Sequence, residues 1–287
     1  MAGELGHVID QPDGPTGALV LASPHSGRRY PDDLLRASRL DALTLRRSED
    51  SFVDELFAPA MQVGAPMIRA HFPRAYVDLN REPWELDPGM FDGPLPDYCN
   101  TRSPRVQAGL GTIARIVASG ADIYARRLTV AEGLERIRRL YQPYHRDLAA
   151  LIEDRRRRFG HAILIDCHSM PSIGGPLDFD PGRRRADFIL GDVHGNACAA
   201  ALVDTVAGAL RRFGYRVTLN APYAGGFTTA HYGRPADGVH ALQIEVNRDL
   251  YMDERRYARK PALSRIAGEL RQVMAEVAAI TTQRLAQ

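Results

Sequence analysis

Residues 161–169 read HAILIDCHS, an apolar run that ends in an aspartate and a histidine. A short apolar run that stops at polar residues is typical of a strand buried in a sheet. Because side chains alternate along a strand, Asp166 and His168 lie on one face if the strand continues through them. Functional sites of open α/β sheets lie beyond the carboxyl ends of the strands. We therefore expect this pair to belong to such a site.

Two other segments also place polar side chains at the end of an apolar run. In ALVLASPHSG (18–27), a predicted strand over Ala18–Ala22 is followed by His25. In ALQIEVN (241–247), Glu245 interrupts a predicted strand. A carboxylate inside a buried strand is costly without a partner. That partner is either water at a metal site or, as the alternative, an arginine in a buried ion pair.

Strands and helices alternate along the whole chain. Further strands are predicted at 66–70, 75–79 and 216–219. Helices are predicted at 50–62 (capped by Ser48), 130–159 (interrupted near Pro143), 196–212 and 262–285. The alternation predicts an α/β fold, a three-layer sandwich with a mixed, mostly parallel central sheet flanked by helices. We expect a single catalytic domain over residues 1–287, with residues 1–15 as a flexible N-terminal segment.

Composition excludes several classes of partner. The net charge of +2 does not favour nucleic acid, and no apolar run of about 18 residues could span a membrane. The N-terminus lacks the pattern of a signal peptide, and the three cysteines show no CxxC spacing. We expect a reduced, soluble, cytoplasmic protein that acts on a small molecule. The sequence does not indicate an oligomeric state.

The polar residues at the strand ends suit a metal site. His25 and His168, with Asp50 as a carboxylate, form the set of two histidines and one acid that is typical of catalytic zinc. Glu245 would then be the general base toward the attacking water, and Asp166 would orient His168. Alternatively, Asp50 is an acid favoured by the dipole at a helix start.

The segment RAYVDLNR (74–81) points to the substrate. Asn80 and Arg81 at the end of the predicted 75–79 strand can bind a carboxylate, because a guanidinium group can donate two parallel hydrogen bonds to it. The alternative is a structural salt bridge from Arg81 to Glu82 or Asp78.

Seven segments together resemble the N-formylglutamate amidohydrolase family over about residues 20–253: SPHSGRRYP, EDSFVDELF, AYVDLNR, DCHSMPS, DFILGDVHG, GGFTTAHYG and QIEVNRDLYM. This family is similar to zinc carboxypeptidases and aspartoacylase-like deacylases in fold and site plan. The resemblance implies a zinc site, with another divalent metal as the alternative. It implies the following roles: zinc ligands His25, Asp50 and His168; catalytic Glu245; carbonyl-polarising Arg74; α-carboxylate-binding Asn80 and Arg81; and substrate-contacting Gly226 and Tyr232.

The chain departs from the family pattern at two places. Some members have an acid where this chain has Ser48, so Glu49 competes with Asp50 as the carboxylate ligand. Many members have an arginine where this chain has Ala230. If that arginine binds the side-chain carboxylate of glutamate, a preference for glutamate in this chain requires another cation. The cations that would replace that arginine are Arg28, Arg102 and Arg234.

The implied reaction is zinc-dependent hydrolysis of N-formyl-L-glutamate, or a similar N-acyl amino acid, to formate and the free amino acid. One alternative is a carboxypeptidase-like enzyme or a broader N-acyl-amino-acid deacylase. An alternative of another class is a metal-free protein that binds anionic metabolites through Arg74 and Arg81.

Overall fold

The computed structural model describes residues 6–12, 14, 16–117, 119–176 and 178–286. Its strands are β1 (His7–Asp10), β2 (Leu19–Ser23), β3 (Met67–Ala70), β4 (Phe91–Asp92), β5 (Leu128–Thr129), β6 (Ala162–Met170), β7 (Phe188–Gly191), β8 (Val217–Leu219), β9 (Val239–Asn247), β10 (Met252–Asp253) and β11 (Ala258–Arg259). Seven of them form the main sheet, in the order β1-β3-β2-β6-β9-β7-β8.

The middle of the sheet brings three strand ends together. Strand β6 runs parallel to β2 on one side and to β9 on the other, while β7 is antiparallel to β9 and parallel to β8. His168 of β6 pairs in register with Glu245 of β9. The α/β class and the mixed, mostly parallel sheet flanked by helices are confirmed.

Helices follow the strands along the chain. They are α1 (Asp32–Ala37), α2 (Ala42–Leu45), α3 (Val53–Phe57), α4 (Pro104–Gln107), α5 (Val130–Arg136), α6 (Gln142–Phe159), α7 (Ala200–Arg212), α8 (Phe227–Tyr232), α9 (Ala262–Ala278) and α10 (Thr282–Leu285). Short 3-10 helices occupy Arg46–Ser48, Ala58–Val63, Pro88–Met90, Pro235–Asp237 and Arg248–Leu250, and a π-helical turn occupies Ile137–Tyr141.

All nine residues of β6 and all nine of β9 are buried, and their side chains alternate between the two faces of the sheet. The odd-numbered residues of β6, such as Ile165, and the even-numbered residues of β9, such as Ile244, pack in the hydrophobic core with α7 and α9. Alternation therefore turns Asp166, His168 and Glu245 toward the opposite face. Both strands thus turn their carboxylates, together with His168, away from that core.

Three local predictions were wrong. Residues 75–79 form turns rather than a strand, because Asp78 bonds through its backbone N–H to the Thr112 carbonyl at 2.8 Å outside any ladder. The helix predicted from residue 50 begins only at Val53, because Phe52 adopts a left-handed conformation (φ 66°); Ser48 does not cap it. The predicted closing helix divides into α9 and α10.

The chain divides into two compact units. One comprises Met1–Val8, Pro24–Ser51 and Arg69–Asp147; it contains α1, α2, α4 and α5 and much irregular backbone. The other comprises Ile9–Ser23, Phe52–Ile68 and Leu148–Gln287 and contains the hydrophobic core described above. A single domain stays a prediction.

The predicted flexible segment, residues 1–15, contains strand β1. Residues 1–5, 13 and 15 of that segment lie outside the described residues. Across the part of the chain that the structure describes, no helix has both the length and the apolar character needed to cross a membrane.

Candidate metal centre

His25, Asp50 and His168 form a buried cluster in which each residue offers one ligand atom, and these atoms all lie within 4.8 Å of one another. His25 follows β2 by two residues, Asp50 precedes α3, and His168 belongs to β6. The backbone N–H of Asp50 donates to the His25 carbonyl at 3.0 Å, which fixes these two residues side by side. The structure thus brings together the three residues predicted as metal ligands.

The His25 ring is oriented by two carboxylates. Its Nε2 lies 2.7 Å from Asp78 Oδ1, and its Nδ1 lies 3.4 Å from Asp50 Oδ2. Two ligand atoms that are each about 2.0 Å from a tetrahedral metal ion lie about 3.3 Å apart. The Nδ1–Oδ2 separation is therefore suited to a shared metal ion, with Asp78 as the carboxylate behind the histidine.

Glycine is needed just after His25. A Cβ atom at Gly27 would lie 2.1 Å from the carbonyl oxygen of Phe72, which no side chain tolerates. The backbone of residues 25–27 can therefore pass close to Phe72 only because residue 27 is glycine, and this close passage positions His25.

Asp78 lies close to several hydrogen-bond donors besides His25. Arg74 Nη2 donates at 2.7 Å, the Asn80 backbone N–H donates at 2.9 Å, and Arg81 Nη2 lies 3.8 Å away. Burial alone would raise the pKa of Asp78, but Arg74, Arg81 and His25 together hold it well below its usual range. Asp78 is therefore an ionised carboxylate at neutral pH.

His168 has its own carboxylate partner. Its Nε2 lies 2.8 Å from Asp166 Oδ1, on the same face of β6, as alternation predicted. The other oxygen of Asp166 accepts from the hydroxyl of Thr229 in α8 at 3.2 Å. Because both ligand histidines bond a carboxylate through Nε2, the Nδ1 nitrogens are the ones that would face a metal ion.

Glu245 is buried and is held by a neighbour on the same face of β9. Gln243 Nε2 donates to Glu245 Oε1 at 2.9 Å, while Gln243 Oε1 accepts from the Gly226 backbone N–H at 2.7 Å. Sequence reasoning missed Gln243. The available signal was a second polar residue two positions before Glu245 in an otherwise apolar strand.

The residues predicted to bind the substrate carboxylate are tied to Asp78. The Arg81 Nε donates to the Leu110 carbonyl and its Nη1 donates to the Asn80 carbonyl, both at 2.8 Å. Burial lowers the pKa of Arg81 to about 10, and Asp78 opposes that shift, so Arg81 remains charged at neutral pH. The structural contact of Arg81 with Asp78, considered as the alternative, is present at 3.8 Å.

Glu49, the competing carboxylate, is engaged elsewhere. It accepts hydrogen bonds from the Tyr30 hydroxyl at 2.8 Å, the Ser51 hydroxyl at 2.6 Å and Arg46 Nε at 3.1 Å. These three donors use the oxygens that a metal ion would need. Asp50, not Glu49, is the carboxylate in the metal-ligand cluster.

The remaining predicted residues lie in and near α8. Gly226 immediately precedes this helix, Tyr232 is buried at its end, and Ala230 is exposed on it. The three arginines considered as replacements at this position, Arg28, Arg102 and Arg234, are all exposed.

Comparison with known proteins decides the family. The family model for N-formylglutamate amidohydrolase matches residues 17–252. The chain belongs to the N-formylglutamate amidohydrolase family. It is therefore a hydrolase that acts on an amide bond.

Individual relatives agree with this assignment. N-formylglutamate deformylases of Pseudomonas putida and Pseudomonas aeruginosa are 30% and 31% identical, over 82% of this chain and 82% of each relative. The crystal structure of N-formylglutamate amidohydrolase from Ralstonia eutropha JMP134 has a TM-score of 0.88 and 36% identity, over 96% of this chain and 98% of that one. A protein of Agrobacterium tumefaciens, at 21% identity and a TM-score of 0.66, shares the fold.

Proposed function

We propose that this chain is a zinc-dependent enzyme that hydrolyses N-formyl-L-glutamate to formate and glutamate. The observation that carries the proposal is the buried cluster of His25, Asp50 and His168, in a chain with Glu245 in register beside His168. Two imidazole nitrogens and one carboxylate are a donor set that suits zinc. When bound there, zinc would polarise the formyl carbonyl and make water a better nucleophile near neutral pH.

In this proposal Glu245 is the general base. Its carboxylate accepts a proton from the attacking water and then delivers that proton to the leaving nitrogen, so the amine departs neutral. The hydrogen bond from Gln243 fixes the rotation of the Glu245 carboxylate. Gly226 in turn fixes Gln243 through its backbone N–H.

Substrate orientation is assigned to the residues around Asp78. Asn80 and Arg81 bind the α-carboxylate of the substrate. Arg74 donates a hydrogen bond to the carbonyl oxygen of the amide that is cleaved. The support is that Asp78 accepts from Arg74 and from the Asn80 backbone, and lies 3.8 Å from Arg81. A shared anion of this kind holds both guanidinium groups in fixed orientations.

Tyr232 and Gly226 contact the substrate from the side of α8 in this proposal. Position 230 is alanine, so the arginine that many family members have there is absent. In this proposal the distal carboxylate of glutamate is bound instead by one of three exposed arginines: Arg28, Arg102 or Arg234. Neutralising each of these three arginines in turn, with N-formyl-L-glutamate and N-formyl-L-norleucine as substrates, identifies the one responsible.

The test is release of formate by the purified protein. We expect N-formyl-L-glutamate to have a higher kcat/KM than N-acetyl-L-glutamate, N-succinyl-L-glutamate or a dipeptide. Preference for an acetyl or succinyl substrate would instead indicate a broader deacylase, and preference for the dipeptide would indicate a carboxypeptidase-like enzyme.

The base is tested separately with Glu245→Gln, which keeps the shape of the side chain. We expect kcat to fall about 10³-fold. The control is Glu276→Gln, in an exposed pair with Arg212, which should leave turnover unchanged. Turnover of Glu245→Gln near that of the wild type would contradict the assigned role.

A further inference from the structure

Tyr223 belongs to the segment of residues 221–226, which precedes α8 and contacts β7 and β9 near its end. A Cβ atom at Gly191 of β7 would lie 2.6 Å from the Gly225 backbone nitrogen, so the segment is in close contact with β7 there. Gly191 is the register partner of Gln243. Gly226, the next residue of the segment, donates its N–H to Gln243. These contacts place one end of the segment against Gln243.

The Tyr223 ring also contacts Arg185. The Arg185 guanidinium carbon lies 5.1 Å from the centre of the Tyr223 ring, within the range of a cation–π interaction. Arg185 is itself fixed, because Asp180 accepts from its Nε at 2.9 Å and its Nη2 at 2.7 Å. The next residue, Ala186, accepts at 3.0 Å from the Asn247 side chain of β9.

Glu245 lies between these two attachments. Gln243, Glu245 and Asn247 share one face of β9 because side chains alternate along the strand. Tyr223 is linked to the Gln243 end through Gly226 and to the Asn247 end through Arg185. Besides burial, the negative charge of Glu245 raises the pKa of Tyr223, which indicates that the two side chains lie near each other.

The Tyr223 hydroxyl is suited to donate a hydrogen bond to a ligand. Among the described residues it makes no hydrogen bond, although a half-buried tyrosine hydroxyl ordinarily finds a partner. Burial, and next the charge of Glu245, raise the pKa of Tyr223 above its usual value. The phenol therefore keeps its proton throughout the neutral pH range and remains a donor.

We propose that Tyr223 is a catalytic residue whose hydroxyl donates a hydrogen bond to the carbonyl oxygen of the scissile amide as negative charge develops there. No proton is transferred, since the phenol keeps its hydrogen throughout. This role rests on the proposed amide hydrolysis with Glu245 as the base. It provides a second donor to the carbonyl oxygen, in addition to Arg74. Arg74 also donates to Asp78 through both Nε and Nη2. Such a donor stabilises the transition state more than the bound substrate.

The test is Tyr223→Phe, which removes only the hydroxyl. We expect kcat for N-formyl-L-glutamate to fall about 10²-fold, while KM stays within threefold and metal content and thermal midpoint match the wild type. The control is Tyr215→Phe, whose hydroxyl contacts Glu269 and Arg265 and should leave kcat unchanged.

Three results would overturn the role of Tyr223. These are a kcat within threefold of the wild type, a rise in KM without loss of kcat, or a loss of activity that follows loss of metal. A wild-type protein that hydrolyses another N-acyl amino acid or the dipeptide, but not N-formyl-L-glutamate, would contradict the proposed substrate only. The comparison of kcat with KM is then made on the substrate that is hydrolysed, with the same criteria.

Discussion

The two histidines of the metal-ligand cluster have similar carboxylate partners but different surroundings. His25 bonds Asp78 at 2.7 Å and His168 bonds Asp166 at 2.8 Å, each through Nε2. Asp78 also accepts from Arg74 and from the Asn80 backbone. Asp166 comes from the same strand as its histidine and accepts from a threonine hydroxyl.

The difference separates two tasks of a carboxylate behind a ligand histidine. Both aspartates fix the ring and make the imidazole a better ligand. Asp78 in addition joins His25 to the residues proposed to bind substrate, whereas Asp166 joins His168 to α8. Substitution of the two aspartates should therefore affect metal binding alike and substrate binding differently.

The largest effect is expected for Asp78→Asn, which keeps the shape of the side chain and removes its charge. We expect metal affinity to fall about 10- to 100-fold and KM to rise, because Arg74 and Arg81 lose the anion that orients them. Breaking a buried ion pair should also lower the free energy of unfolding by about 3 kcal/mol. Metal titration, steady-state kinetics and urea denaturation measure the three changes. An unchanged KM would show that Asp78 does not orient the substrate-binding residues.

Asp166→Asn is the matched substitution and should have a narrower effect. We expect a similar loss of metal affinity, about 10- to 100-fold, but an unchanged KM once the metal is saturating. The reason is that the hydrogen bonds of Asp166 to His168 and Thr229 involve no residue proposed to bind the α-carboxylate. If KM rose as much as in Asp78→Asn, the distinction between the two pairs would fail.

Thr229→Val should have the smallest effect, since it removes one hydroxyl and keeps the shape. We expect the free energy of unfolding to fall by about 1.5 kcal/mol, because a hydrogen bond to a charged group is lost, with metal affinity reduced a few-fold. Thr205→Val is the control, since its hydroxyl donates to the Ala201 carbonyl within α7. Equal metal affinity in the two variants would show that Thr229 does not support His168 through Asp166.

The sequence predicted the parts of the fold and site that depend on strand pattern. Apolar runs located β2, β6 and β9, and alternation placed Asp166 and His168 on one face. The left-handed Phe52, which delays the start of α3, left no signal in the hydrophobic pattern. An apolar run at 75–79 was interpreted as a strand because apolar spacing does not show whether a neighbouring strand is present.

Contacts between distant segments could not be predicted from pattern. Asp78 is 53 positions from His25, and sequence reasoning considered it only as a partner of Arg81. The support of Glu245 by Gln243 requires Gly226, which lies in another segment. The placement of Tyr223 depends on how residues 221–226 cross β7 and β9, which spacing along the chain does not specify.

The measurement that tests the central claim most directly is metal content together with activity, on the wild type and His168→Ala. We predict one divalent ion per wild-type chain, loss of formate release on chelation, and recovery of activity when zinc is returned. His168→Ala should bind the ion far more weakly and stay inactive at zinc concentrations that restore the wild type. Full hydrolysis of N-formyl-L-glutamate by the metal-free wild type would contradict the account.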